Sequence, residues 1–376
     1  MVTLADICEE YGPAYEAAFG DQLLPSHRHA LRAIVQCRTA AMGGHVYLCD
    51  ACEQSHYCYH SCRNRHCPQC QGDKAADWLA RQEAMLLPTP YFMLTFTLPA
   101  ELRPLARSHQ HLFYNLLFRA SAEATQQLAH NPRFLGGDIG MVGVLHSWSR
   151  DLAYHPHVHY LVPAGAWDGQ VWRRPRCKRF LLPVKALSPV FRAKVRDALR
   201  RTDLWQQIPP VVWRKPWVVH CQRVGSGRQA LNYLAPYIFR VAITNRRIVS
   251  LDEDPAGGLP TVTFRYRPSG TRYWRLSTIP VLAFIRRFLQ HVLPRGFVKV
   301  RYYGFFSSGQ RAKLGQVAAW LKPSSAPSKE QPRKTATEPA AVMETGRRCP
   351  LCGQSLRLVQ RLPRPQADVV SPWKPP

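Results

Sequence analysis

His157 and His159, in the run His155-Pro156-His157-Val158-His159, stand two residues apart, the spacing at which alternate side chains of a β-strand share a face. Two neutral imidazoles aimed at one point can hold a divalent cation and leave its other positions open to water or a phosphate oxygen. The run His157-Val158-His159-Tyr160-Leu161-Val162 is β-branched and aromatic, which predicts that strand, with Val158 turned into the core. His146, on the preceding apolar segment, is the leading third nitrogen. His155 competes with it, and Gln229 is a weaker candidate. Downstream, Tyr233 and Tyr237 are four apart in a segment of helical pattern, so their phenols share one face. A phenol with a pKa of about 10 becomes a good nucleophile only when a nearby cation stabilises its oxyanion. Taken singly, an H-x-H pair is more often a satisfied surface or core feature, and a tyrosine pair more often packs as two aromatics. Their surroundings decide between the readings.

The surroundings are strongly basic. The 376 residues carry a net charge of +27, and the excess is uneven, with −3 over residues 1–90 and +24 over residues 91–320. Clustered arginines (Arg173, Arg174, Arg176, Arg246, Arg247, Arg286, Arg287) supply much of it, and the planar guanidinium suits bidentate phosphate contacts. This is the electrostatic footprint of a surface for a polyanion, and nucleic acid is the expected partner. No apolar run reaches the roughly 18 residues of a membrane span. The first 30 residues lack a basic segment followed by an apolar one, so a cytoplasmic, nucleoid-associated protein is expected, with no membrane partner.

Eight of the twelve cysteines fall in the first 70 residues, and without a secretory signal metal binding explains them better than disulfides. Cys49-Asp50-Ala51-Cys52 and Cys67-Pro68-Gln69-Cys70 are two C-x-x-C knuckles separated by fourteen residues. Together they predict one closed, structural Cys₄ zinc site, built from Cys49, Cys52, Cys67 and Cys70. His45, His56, Cys58, His60, Cys62 and His66 could replace a ligand or form a second site, and Cys37 and Cys8 are further candidates. Arg63 and Arg65, between the knuckles, suit a phosphate contact. Near the carboxy terminus, Cys349-Pro350-Leu351-Cys352 offers only two ligands. It would have to borrow others or dimerise around zinc.

The elements that must position these groups follow from periodicity. A helix is expected over 26–42, with Ser26 as N-cap, and another over 71–86. Strands are expected at 92–98, 140–148 and 157–162, with a long amphipathic helix at 109–130. Only eight residues separate Trp148 from His157, so the last two strands should pair antiparallel. A basic helix at 189–201, a strand at 217–221 and the tyrosine helix at 229–238 follow. Short strands at 247–251, 261–266 and 273–277 and a helix at 281–293 come after them. Strands alternating with helices over an antiparallel sheet give an α+β, ferredoxin-like fold. The expected domains are a zinc-binding unit at 1–90, a catalytic unit at 91–320, a disordered linker at 321–346 rich in Pro, Ser, Ala, Lys and Glu, and a tail at 347–376 with a lone C-x-x-C.

Several ordered motifs go further. Cys37-Arg38-Thr39-Ala40-Ala41-Met42-Gly43-Gly44-His45, Ser61-Cys62-Arg63-Asn64-Arg65-His66-Cys67-Pro68-Gln69-Cys70, Phe96-Thr97-Leu98-Pro99, His155 through Val162, and Tyr233-Leu234-Ala235-Pro236-Tyr237 with Arg240-Val241-Ala242-Ile243 occur in that order. In these the chain resembles the insertion-sequence-91 family of HUH transposases, two-tyrosine single-strand transposases, over roughly residues 20–310. The resemblance implies an amino-terminal zinc-binding domain and a Rep-type HUH catalytic domain. It further implies transesterification on single-stranded DNA through a 5′-phosphotyrosine at Tyr233 or Tyr237, in rolling-circle-type transposition. His157 and His159 would then hold Mg²⁺ or Mn²⁺, with Arg63, Arg65, Arg240, Arg246 and Arg247 on the DNA. The chain departs from the family pattern at Pro236, between the tyrosines, and at Ile238-Phe239, where a Thr-His pair is common. Two other readings stand beside this one: a non-catalytic zinc-finger nucleic-acid-binding protein, and a metallohydrolase using His146, His157 and His159.

Overall fold

A computed structural model describes residues 2–70, 72–239, 242–253, 257–268, 270–322 and 346–365. The chain opens with α1 (Leu4–Phe19) and α2 (Pro25–Val35), then the hairpin β1 (Gly44–Cys49) and β2 (Ser55–Tyr59), then α3 (Gly72–Glu83). Next come β3 (Pro90–Thr97), α4 (Arg103–Ser108), α5 (Gln110–His130), β4 (Gly140–Trp148) and β5 (Tyr154–Pro163). A small hairpin, β6 (Ala166–Trp167) and β7 (Trp172–Arg173), leads to α6 (Val184–Leu199), α7 (Val211–Arg214), β8 (Val219–Ser226) and α8 (Gly227–Phe239). The remainder is β9 (Ile248–Asp252), β10 (Thr261–Tyr266), β11 (Arg275–Pro280), α9 (Val281–Leu289), β12 (Val300–Gly304), α10 (Arg311–Leu321) and β13 (Leu356–Leu362).

The centre is a five-stranded sheet in the order β12-β4-β5-β3-β8, with every neighbouring pair antiparallel. The protein is therefore α+β with antiparallel sheets, and β4 and β5 pair as their short connection predicts. Alternation divides the sheet. Phe92, Leu94 and Phe96 of β3 and Val158, Tyr160 and Val162 of β5 face α5 and α6, and all six are buried in the largest core cluster. Burying side chains of this size contributes roughly 1.5–3 kcal/mol each. Gly143, opposite Tyr160 in the β4–β5 register, leaves room for that ring, because a Cβ there would lie 2.6 Å from a Tyr160 ring carbon. On the other face, Met93, Val142 and Leu161 pack against Ala230, Leu231 and Leu234 of α8.

The β4–β5 turn is unusual. Leu152 adopts φ 65 while its side chain is fully buried. A bulky residue seldom takes this left-handed conformation, and here burial in the second core cluster holds it. That cluster joins α1 and α2 to Val262 and Phe264 of β10 and to α9. It joins residues on both sides of the boundary expected at residue 90. The boundary expected at 346 is crossed as well, because β13 pairs antiparallel with β1 in a sheet of order β13-β1-β2.

Helix limits shift where proline sets them. α2 starts at Pro25, with Leu24 rather than Ser26 as N-cap, and ends at Val35. Proline's fixed φ and missing N–H suit the first helical position. α6 begins at Val184 and runs through Pro189. Of the expected linker, residues 323–345 lie outside the described residues.

Candidate functional site

β5 lies in the middle of the sheet, and the strand alternation that buries Val158 and Tyr160 turns His155, His157 and His159 to the opposite face. His146 of β4 is the direct register partner of His157. The imidazole nitrogens of His146, His157 and His159 lie within 4.8 Å of one another. Their rings sit 4.6 Å (His146–His159), 4.8 Å (His157–His159) and 5.2 Å (His146–His157) apart, centroid to centroid. Burial, the leading cause in each case, pushes His146 well below its usual range, His157 to about 4 and His159 to about 3. All three are neutral near pH 7, which is the form that binds a metal.

Neighbouring groups fix the ring orientations. His157 Nδ1–H donates to the His155 carbonyl at 2.6 Å, and His159 Nδ1 bonds the Thr95 hydroxyl at 2.9 Å across the β3–β5 pair. With both Nδ1 atoms engaged, Nε2 is the atom each ring can offer, and such outer partners are what orient metal-binding histidines. His155 is placed otherwise. Arg103 of α4 donates to its Nδ1 at 2.7 Å, so its ring is tied to α4 and only its carbonyl serves the cluster. Gln229 is committed as well: its Oε1 accepts the Ser226 N–H at 3.2 Å while Ser226 Oγ accepts the Gln229 N–H at 3.4 Å. That is a capping box at the start of α8.

α8 lies on the histidine face, touching β3, β4, β5 and β8. It carries Tyr233 and Tyr237 four residues apart and continues helical through Pro236. The side chains of both tyrosines, and Arg240 altogether, lie outside the described residues. Lys299, beside β12, ties the end of this helix to the sheet. Its Nζ donates to the Ile238 carbonyl at 3.4 Å and stands 4.9 Å over the Trp148 ring.

The cysteines converge differently from the expected grouping. Cys37, Cys62, Cys67 and Cys70 form one cluster and Cys49, Cys52, Cys349 and Cys352 another, each with its sulfurs within 4.8 Å. The knuckle Cys49/Cys52 therefore does not share a site with Cys67/Cys70. The reason is strand geometry: Cys49 and Cys52 sit at the tip of the β1–β2 hairpin, while Cys37 precedes β1 and Cys62 follows β2. At about 3.3 Å per residue, the six residues of β1 hold tip and base roughly 17 Å apart. In the first cluster Cys62 and Cys70 sulfurs are 3.7 Å apart, near the ~3.8 Å edge of a tetrahedron with zinc–sulfur bonds of ~2.3 Å. Hydrogen bonding between Cys62 and Cys37 pushes the Cys37 thiol down and the Cys62 thiol up. A thiophilic cation bound by the four sulfurs would replace the protons that these thiols share. His56 Nε2 lies 3.3 Å from Cys349 Sγ, beside the second cluster, and several of the other candidates are placed elsewhere. Cys8 is buried in the second core cluster, His45 and His60 pack edge to face at 4.9 Å, and buried His66 Nε2 accepts the Leu293 N–H at 3.2 Å.

These features agree with known proteins. Residues 140–313 match the family model described as "Putative transposase", and residues 7–98 match the "Transposase zinc-binding domain". The chain is 39% identical over 380 residues to "Putative transposase y4qJ" of Sinorhizobium fredii (strain NBRC 101917 / NGR234), covering 93% of each. It is 30% identical over 302 residues to "Transposase for insertion sequence element IS801" of Pseudomonas savastanoi pv. phaseolicola, covering 73% of this chain and 69% of that one. The chain belongs to the insertion-sequence-91 family of transposases. No solved structure matches it.

In this transposase the expected DNA-holding arginines divide. Arg63, at φ 54, and Arg246 are exposed. Arg65 is exposed too, but its guanidinium donates to the Phe297 carbonyl at 2.6 Å, and partial desolvation lowers its pKa. Arg247 is a structural residue: its guanidinium donates to the carbonyls of Arg265, Ala242 and Arg150 at 2.9, 3.3 and 2.5 Å, and burial lowers its pKa to about 10. No described helix of the transposase is long and apolar enough to cross a membrane. Sequence reasoning missed Thr95, Arg103 and His220. His220 lies opposite Thr95 on β8. The signal for Thr95 was the alternation of β3, which turns Thr95 and Thr97 to the histidine side.

Proposed function

We propose that this transposase cleaves and rejoins single-stranded DNA through a covalent tyrosine intermediate, in an HUH-type active site, during rolling-circle-type transposition. The observation that supports it most is the convergence of His146, His157 and His159 on the sheet face that α8, with Tyr233 and Tyr237, covers. Three neutral imidazoles and an accessible phosphate oxygen suit a divalent cation such as Mg²⁺ or Mn²⁺, held by Nε2 of His157 and His159 and by His146. When bound, the cation supplies charge stabilisation at the scissile phosphate.

The chain's own groups do the rest. A tyrosine Oη attacks phosphorus, the bond from phosphorus to the 3′ oxygen breaks, and the phenolic proton ends on that oxygen, leaving a free 3′-OH. The 5′ phosphate stays on the tyrosine as a diester, so the reverse attack by a 3′-OH rejoins DNA without ATP. Thr95 and the His155 carbonyl hold the imidazoles in one orientation, and exposed Arg63 and Arg246 hold the backbone of the strand. The test is a labelled single-stranded oligonucleotide from an element end, incubated with and without Mn²⁺ and resolved on a denaturing gel. A protein-linked band that needs Mn²⁺ and vanishes in Tyr233→Phe/Tyr237→Phe is expected. Cleavage without any adduct would make the protein a metallohydrolase, and binding without cleavage a zinc-finger DNA-binding protein.

A further inference from the structure

Residues 348–355 repeat residues 48–55 at an offset of 300, as Arg348-Cys349-Pro350-Leu351-Cys352-Gly353-Gln354-Ser355 against Leu48-Cys49-Asp50-Ala51-Cys52-Glu53-Gln54-Ser55. The backbone repeats too. In each copy the first cysteine N–H donates to the glutamine carbonyl five residues on, at 3.0 Å (Cys49 to Gln54) and 2.7 Å (Cys349 to Gln354). In each the residue after the second cysteine takes positive φ, 51 at Glu53 and 78 at Gly353. The flanking residues pair antiparallel in both, Leu48 with Ser55 and Arg348 with Ser355. Two knuckles of one shape thus face each other. Their sulfurs approach to 3.4 Å (Cys49–Cys352), 3.7 Å (Cys52–Cys349) and 3.8 Å (Cys52–Cys352). These are far longer than a disulfide of about 2.05 Å and close to the ~3.8 Å edge of a tetrahedral zinc thiolate.

We propose that Cys49, Cys52, Cys349 and Cys352 bind a zinc ion of their own, which clamps the carboxy-terminal strand of the transposase onto its amino-terminal hairpin. The tail cysteines lie outside both matched family regions, 7–98 and 140–313. Packing alone gives β13 little hold, because five of its seven residues are exposed, Leu358 and Val359 among them. Joining segments about 300 residues apart also carries a loop-closure cost. Four thiolates on one cation offset that cost, since binding energy at a structural zinc site is folding energy. His56 Nε2 lies 3.3 Å from Cys349 Sγ, where a ring N–H can donate to the thiolate. Arg357 also pairs with Asp50 at 2.9 Å, aligning the strands beside the knuckles.

Native mass spectrometry of the purified full-length protein, with hydrogen exchange on the same sample, tests the clamp. Two zinc ions per single chain are expected, and one in Cys349→Ser/Cys352→Ser. In that variant the amides of Leu356–Leu362 should lose protection while those of β3, β4 and β5 keep theirs. Should the variant fail to fold, stepwise chelation of the wild-type protein decides, because tail amides must begin to exchange in step with the loss of one zinc. One zinc in the wild type, two retained in the variant, tail exchange indifferent to zinc, or a zinc that leaves only as a dimer separates would each overturn the proposal.

Discussion

The two faces of β5 are built from the same two-residue rhythm and do opposite things. Val158, Tyr160 and Val162 enter a sealed core beneath α5 and α6, where Tyr160 still finds hydrogen bonds to Ser121 (2.8 Å) and the Phe118 carbonyl (3.0 Å). His157 and His159 turn to the other face, where the partners are polar: Thr95, the His155 carbonyl and His146. β3 repeats the division, with Phe92, Leu94 and Phe96 on one side and Thr95 and Thr97 on the other. The sealed face provides the rigidity. Imidazoles that would otherwise favour water are held in place by a backbone whose position the opposite side chains have already fixed.

That division can be broken from either side. The largest effect is expected from His157→Ala, which should lower Mn²⁺-dependent cleavage by about a thousandfold, some 4 kcal/mol of transition-state stabilisation. The urea midpoint should hardly move, and a large drop in it would mean that the histidines belong to the core. Phe96→Ala should do the reverse. Phe96 is fully buried and packs edge to face on Tyr160 and Phe191, so about 3–5 kcal/mol of stability should be lost in urea unfolding. Retention of wild-type stability would show that this face is not the structural one. Thr95→Val is subtler, since it removes the hydroxyl at His159 Nδ1 without emptying space. Mn²⁺ affinity, read by electron paramagnetic resonance, should weaken about 10–100-fold, and an unchanged affinity would remove Thr95 from the site.

The smallest effect is one of pH. Burial lowers His157 to about 4 and His159 to about 3 in the fold, whereas an unfolded imidazole titrates at about 6.5. The unfolded chain therefore takes up protons first as pH falls, and stability present above pH ~6.5 is lost progressively toward pH ~4. Unfolding of the metal-free protein at pH 7 and pH 5 should show the loss, with a shallower slope in His157→Gln. Identical slopes in the two proteins would mean that His157 is not the group titrating.

Much of this was legible in the chain. The period-two pattern of 157–162 named both the strand and its polar face, and the short turn after Trp148 made β4 its antiparallel neighbour, which brought in His146. Other residues make contacts that their spacing does not foretell, for physical reasons. Arg247 looks like any phosphate-binding arginine, but three carbonyls brought together by the β9–β10 region and the β4–β5 turn occupy its donors. His155 has the same spacing as its neighbours, yet Arg103 of α4 claims its ring.

The cysteines mark the limit most clearly. Two thiols in C-x-x-C reach one ion through local backbone geometry, and two histidines at i and i+2 share a strand face, so sequence alone determines each half-site. Which half-sites meet is a different matter. The length of β1 separates the hairpin tip from its base, and β13 returns from the far end of the chain to bring Cys349 and Cys352 against Cys49 and Cys52. Local spacing fixes what a few residues can reach. Only tertiary packing, acting over hundreds of residues, selects the partner they reach for.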